Sequence, residues 1–188
     1  ELECKELYQL ATDKNLILMD AIKTAYSTAY NRLLLLLKSG KIGNILSVES
    51  TCTSLKNLNA NPVKNISNYW NSICSWGPTA MLPIFHILGT NWVDINISSL
   101  MMDEFSTFDL FTKINFTYPN AVASLKVGKG VKSEGELIIS GTKGYIYVPA
   151  PWWKTEYFEV RFENQNNNRR YFYQLDGEGI RNELVAFL

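Results

Sequence analysis

From Val93 to Leu175 the chain repeatedly alternates apolar and polar side chains with a period of two, the signature of strands with one covered face. Val93, Ile95 and Ile97 alternate with polar neighbours. Phe108, Leu110, Thr112, Ile114 and Phe116 alternate with Asp109, Phe111, Lys113, Asn115 and Thr117. Residues 121–127 form another strand after the Pro119-Asn120 turn. Leu137-Ile138-Ile139 and Tyr145-Ile146-Tyr147-Val148 flank Gly141-Thr142-Lys143-Gly144, a hairpin by composition. Phe158, Val160 and Phe162 mark the next strand, residues 165–168 a polar turn, and Tyr171, Tyr173 and Leu175 alternate after it. Strands joined by short turns pair antiparallel, because a parallel pair needs a crossover of about a dozen residues or more.

Before this run the period is helical. Leu7, Leu10 and Ala11 give a helix over 3–14, with Leu2 on a neighbouring face, and Asn15 breaks it. Leu16-Ile17-Leu18-Met19 reads as a short buried strand. A helix over 28–38 ends at Ser39-Gly40, with Gly40 supplying the left-handed C′ residue, and residues 45–53 form a strand. Residues 55–75 are polar, Asn-rich and aperiodic, and read as a long loop. Trp76-Gly77-Pro78 starts a short helix that Pro83 should kink and Gly89 should end. Ile180, Leu184 and Phe187 begin a final helix. The order predicts an α+β domain: an open, mainly antiparallel sheet with helices packed on one face. Tyr145, Tyr147, Tyr157, Tyr171 and Tyr173 either line the second face for a partner or fill the core edge with their hydroxyls in water.

Composition narrows the function classes. Lys plus Arg equals Asp plus Glu, at 18 each, so no net field recruits nucleic acid or an anionic membrane. The apolar run Leu33–Leu37 is far too short to span a bilayer. The acidic opening Glu1-Leu2-Glu3 is unlike a signal peptide, and Cys4, Cys52 and Cys74 lie too far apart for a disulfide framework or a zinc pair. These features read as a cytoplasmic protein with ordinary thiols. The sequons at Asn65, Asn96 and Asn115 read as products of an Asn-rich composition. Both ends open directly on helices, so residues 1–188 read as one domain excised from a longer chain.

Four segments then recur in a familiar order. Asn15-Leu-Ile-Leu-Met-Asp-Ala21 precedes a helix ending in Leu37-Lys-Ser-Gly-Lys-Ile-Gly43 and a strand; Trp76-Gly77 precedes a helix with His86. Ile139-Ser-Gly-Thr-Lys-Gly-Tyr-Ile146 and Gly177-Glu-Gly-Ile-Arg-Asn-Glu-Leu184 follow. In this order and spacing the chain resembles the C-terminal domain of the Gfo/Idh/MocA oxidoreductases, the glucose–fructose oxidoreductase and inositol dehydrogenase family, over essentially its whole length. The resemblance implies a sheet domain like those of dihydrodipicolinate reductase and glyceraldehyde-phosphate dehydrogenase. It also implies a sugar- or polyol-like substrate, a homodimer through the sheet face, and NAD or NADP held by an N-terminal Rossmann domain absent from this chain. No GxGxxG is present, so no cofactor-binding residue is assigned, and the family's Glu-Lys-Pro lysine would lie upstream.

Carried over residue by residue, the resemblance implies His86 as the catalytic acid–base group and Asp20, Trp76, Lys126 and Trp152 as substrate-binding residues. Asp20-Ala21 stands for the family's Glu-Ala, while Ala25 replaces its arginine. The Asp-x-Gly-x-His helix keeps only its histidine, with Leu82 and Ile84 at the other positions. For His86, the one histidine, the alternative is a satisfied structural imidazole; metal binding lacks a second ligand at a suitable spacing. For Trp70, Trp76, Trp152 and Trp153 the alternative to a pocket wall is plain packing, and for Lys126 and Lys129 it is solvation. Arg169-Arg170 is too short a basic pair for nucleic acid. Two functions follow: the substrate-binding and dimerisation half of an oxidoreductase, or an eroded relative serving as an oligomerisation module in a larger protein.

Overall fold

The computed structural model describes residues 2–55, 71–103, 107–154 and 156–188. The helices are α1 (Leu2–Asp13), α2 (Thr28–Lys38), α3 (Ser72–Leu88) and α4 (Ile180–Phe187). The strands are β1 (Ile45–Thr53), β2 (Asp94–Met101), β3 (Asp109–Thr117), β4 (Val122–Gly128), β5 (Leu137–Gly141), β6 (Tyr145–Val148), β7 (Tyr157–Arg161) and β8 (Arg169–Phe172). They form one sheet in the order β2-β3-β4-β1-β5-β6-β7-β8. Only β1 and β4 run parallel, from Ser47 opposite Val122 to Thr53 opposite Gly128; the remaining pairs are antiparallel. The fold is therefore the α+β, open and mainly antiparallel sheet expected from the alternation.

Period-two alternation sorts the strands into two faces. Val48 and Cys52, Leu125 and Val127, Leu137 and Ile139, Ile146, and Phe158 and Val160 are buried on one face. They pack with Leu33, Leu36 and Leu37 of α2 and with Ala80 and Ile84 of α3. The opposite face carries Lys113, Lys126, Glu49, Tyr145, Tyr147, Tyr157, Glu159, Arg161, Arg170 and Phe172, and none of these side chains is buried.

Two turns that are unremarkable one at a time dock against each other. Gly40 ends α2 at φ 71°, and the Lys41 N–H reaches back to the Leu36 carbonyl at 3.3 Å. The chain then passes Ile42 and Gly43 into contact with the β5–β6 turn, where the Lys143 N–H donates to Ile42 O at 2.9 Å and the Thr142 N–H to Asn44 O at 3.0 Å. A Cβ on Gly141 would lie 2.3 Å from Ile42 O, so only glycine permits this approach. The glycines of the two motifs thus serve one joint, which ties the end of α2 to the hairpin.

Several elements differ from the sequence expectation. Residues 16–19 form no strand; Leu16, Ile17 and Leu18 are 67%, 65% and 43% exposed, and α1 buries none of its residues. Among the described residues the apolar run has no strand to pair with. α3 begins at Ser72 rather than Trp76, because the Asn71 side chain caps it by accepting the Cys74 N–H at 2.9 Å. Pro78 and Pro83 both lie inside α3, and most of the 55–75 loop lies outside the described residues. Tyr171 and Tyr173 stack on Phe158 on the helix-covered face; Tyr171 pairs opposite Phe158, so register sets its face. Tyr145, Tyr147 and Tyr157 do line the open face.

Candidate functional site

The site is built on α3, whose N-terminus is clamped to the sheet. The Ser72 hydroxyl donates to the Asp109 carbonyl and accepts the Lys129 N–H at 2.9 Å. The Asp109 carboxylate is buried; it accepts the Ile73 N–H at 3.4 Å and the Thr112 hydroxyl at 2.6 Å. A carboxylate at this position also complements the positive end of the helix. From there Ser75, Thr79, Leu82 and His86 recur at helical spacing along one flank of α3, none of them buried.

His86 lies exposed in the last turn of α3. Its Nδ1 is 3.3 Å from the hydroxyl of Tyr30 on α2, with the rings 5.9 Å apart at 38°. Partial desolvation lowers its pKa from the ordinary 6.5, favouring neutral imidazole. Tyr30 is itself buried, which pushes its phenol upward and keeps it protonated. Leu82, one turn before His86, adds apolar surface where a carboxylate would have stabilised an imidazolium.

Beyond Tyr30 the same side of the molecule is aromatic. Tyr30, Thr24, Leu33, Trp152, Trp153 and Phe158 line a small enclosed cavity. Trp153 is half-buried, 4.9 Å from the Trp76 ring, and its carbonyl accepts the Thr24 hydroxyl at 3.0 Å. Trp76 donates its indole N–H to Ser54 at 3.0 Å. Along α3, Trp76 and His86 stand about 15 Å apart.

The other expected site residues fall elsewhere. Trp152 is 2% exposed and lines the small cavity from within the core, while its neighbour Trp153 is half-buried. Lys126 projects from the open face, 3.8 Å from Glu136, on the opposite side of the sheet from His86. Asp20 is exposed ahead of the short turn that carries Thr24, and its carboxylate accepts the Tyr8 hydroxyl at 3.4 Å. Trp70 lies outside the described residues. Tyr30 and Asp109 were not singled out in the sequence. Tyr30 sits in an ordinary helical stretch, and Asp109 in a position that alternation assigns to the solvent.

Among the described residues no cluster of His, Cys, Asp or Glu could hold a metal, and no helix is long and apolar enough to cross a membrane. No protein-family profile and no curated protein matches the chain. Solved structures do. KijD10, a 3-ketoreductase from Actinomadura kijaniata in complex with NADP and TDP-benzene, matches with a TM-score of 0.77 at 13% identity, over 97% of this chain and 57% of that one. An NAD binding oxidoreductase from Klebsiella pneumoniae matches at 0.75 and 13%, over 92% and 51%. Levoglucosan dehydrogenase, in complex with NADH and levoglucosan, matches at 0.69 and 19%, over 93% and 53%.

The fold is one shared with NAD(P)-dependent oxidoreductases. The chain spans little more than half the length of each of these neighbours. The residues do not fit a dinucleotide: the sequence holds no GxGxxG turn, and the N-terminus of α3 is occupied by the Asp109 carboxylate.

The His86 environment makes a pH prediction. A folded-state pKa below the unfolded value means that the unfolded chain takes up the proton first as pH falls. Stability therefore declines as pH drops through about 6.5 toward the folded value, and the loss is complete below it. A proton NMR titration of the imidazole should give a midpoint below 6.5, the ordinary value; a midpoint at or above it contradicts the environment described.

Proposed function

We propose that this chain is the substrate-binding and dimerisation half of an NAD(P)-dependent oxidoreductase acting on a sugar- or polyol-like substrate, with the nicotinamide held by a separate N-terminal Rossmann domain. The observation that carries this reading is the placement of the one histidine, exposed on the unburied flank of α3 beside the Tyr30 ring, in a fold shared with a 3-ketoreductase and with levoglucosan dehydrogenase. His86 would exchange a proton with a substrate hydroxyl or carbonyl oxygen. The Trp76–Trp153 pair, about 15 Å along α3 from His86, would pack against a more remote part of the substrate. The redox step itself belongs to the cofactor.

The open sheet face is proposed as the homodimer interface. Arg161 lies 4.7 Å from the Tyr147 ring and Arg170 5.1 Å from that of Tyr157, with Glu159 ion-paired to both arginines. This ladder offers aromatic and arginine side chains, the types enriched in interface cores, and its mix of arginine and glutamate would let a two-fold copy pair opposite charges. Sedimentation equilibrium should find a dimer at micromolar concentration, and R161E/R170E should return a monomer. A wild-type monomer at those concentrations overturns the interface.

One observation favours the second reading, an oligomerisation module without catalysis: Leu82 stands where a carboxylate partner for His86 would be needed. The discriminating experiment is His86→Asn in the whole protein, assayed across sugars and polyols with NADH and NADPH. The oxidoreductase reading predicts a loss in turnover of about a hundredfold or more. A change below about threefold makes His86 structural and leaves the assembly reading.

A further inference from the structure

Tyr30 enters neither the sequence motifs nor the reading above, yet its hydroxyl has a single interaction among the described residues. A buried phenol carries one O–H donor, and leaving that donor unmet inside a protein is unfavourable. His86 Nδ1 at 3.3 Å is the acceptor within its reach. Desolvation keeps the phenol protonated. Nδ1 therefore accepts, and a neutral imidazole whose Nδ1 accepts carries its proton on Nε2. Nε2 has no protein partner among the described residues, and His86 is exposed.

We propose that Tyr30 is a positioning residue for His86: its hydroxyl donates to Nδ1, fixes the imidazole as the Nε2–H tautomer, and presents that N–H to the open flank of α3 as the donor to a substrate ketone or hydroxyl oxygen. The proposal rests on the oxidoreductase reading for its substrate and on the Tyr30–His86 geometry for everything else. Tyr30 is well placed for this role. It is 5% exposed, held by the Ser27 cap of α2, whose hydroxyl accepts the Tyr30 N–H at 3.3 Å, and it lines the small cavity together with Leu33, Trp152 and Trp153. A fixed phenol removes ring rotation from His86, so a neutral imidazole can act as a directed hydrogen-bond donor without the lost carboxylate. It also selects the substrate: the site favours a ligand that offers an oxygen lone pair to Nε2–H over one that can only donate.

The single histidine makes the test direct. Long-range proton–nitrogen correlation spectra of the uniformly nitrogen-15-labelled chain at pH 8 report which imidazole nitrogen is protonated. The expected result is a single Nε2–H tautomer with a hydrogen-bonded Nδ1, and in Tyr30→Phe a tautomer mixture with the Nδ1 resonance moved toward its free value. Backbone amide spectra establish that the variant keeps its fold. An Nδ1–H tautomer in the unmodified chain overturns the proposal without any variant, as does a Tyr30→Phe spectrum with both nitrogen shifts unchanged. In the whole protein, Tyr30→Phe should lower kcat/KM about tenfold while leaving the protein folded. If His86→Asn abolishes turnover but Tyr30→Phe changes neither rate nor tautomer, Tyr30 has no positioning role and the oxidoreductase reading stands. If His86→Asn leaves turnover intact, that reading fails and takes the substrate role of Nε2 with it.

Discussion

The position of α3 on the sheet depends on a buried carboxylate. Asp109 opens β3, is 4% exposed, and binds the first turn of α3 through the Ile73 N–H while the Thr112 hydroxyl holds its second oxygen. Ser72 completes the clamp by bridging the Asp109 carbonyl to the Lys129 N–H just beyond β4. A helix of 17 residues is a rod about 25 Å long, so its far end follows the orientation of its start. His86 lies at that far end. Its relation to Tyr30 on a different helix is thus set jointly by the clamp at Asp109 and by the packing of Ala80 and Ile84 on the sheet.

The sheet separates two kinds of surface. On the helix-covered side, aromatic side chains and one imidazole line a flank with apolar walls and few fixed polar groups, which suits a small ligand. On the other side, charged and aromatic side chains alternate across β6, β7 and β8, with Glu159 shared between Arg161 and Arg170. That side presents a surface of interleaved arginine, glutamate and tyrosine side chains, which suits a protein. Lys126 on the open face and His86 behind the sheet therefore cannot serve the same bound molecule.

The sheet was legible because a period of two survives in β3, where Ile114 and Phe116 are buried while Lys113 and Asn115 are exposed, whereas β2 keeps the sequence alternation yet is exposed along its whole length. What sequence alone left open was register and distance. Tyr171 faces the core because it pairs with Phe158, a pairing that composition does not specify. Trp152 and Trp153 are adjacent and chemically identical, and the short turn they occupy decides which is buried. The start of α3 was missed because its anchor, Asp109, lies 37 residues downstream of Ser72. Residues 16–19 look like a core strand because strand composition records hydrophobicity, not which neighbour supplies the pairing edge. His86 was found by its position in a motif order; Tyr30 could be found only through the hydrogen bond that joins two helices.

The central claim is that the flank of α3, and not the open sheet face, receives the small ligand. Amide and indole chemical-shift mapping of the nitrogen-15-labelled chain during titration with a panel of hexoses and polyols tests it most directly. A binding sugar should move the Trp76 and Trp153 indole signals and the His86 amide, and leave Lys126, Tyr147 and Arg161 unmoved. Shifts confined to Lys126, Tyr147 and Arg161, with the α3 flank silent, would contradict it.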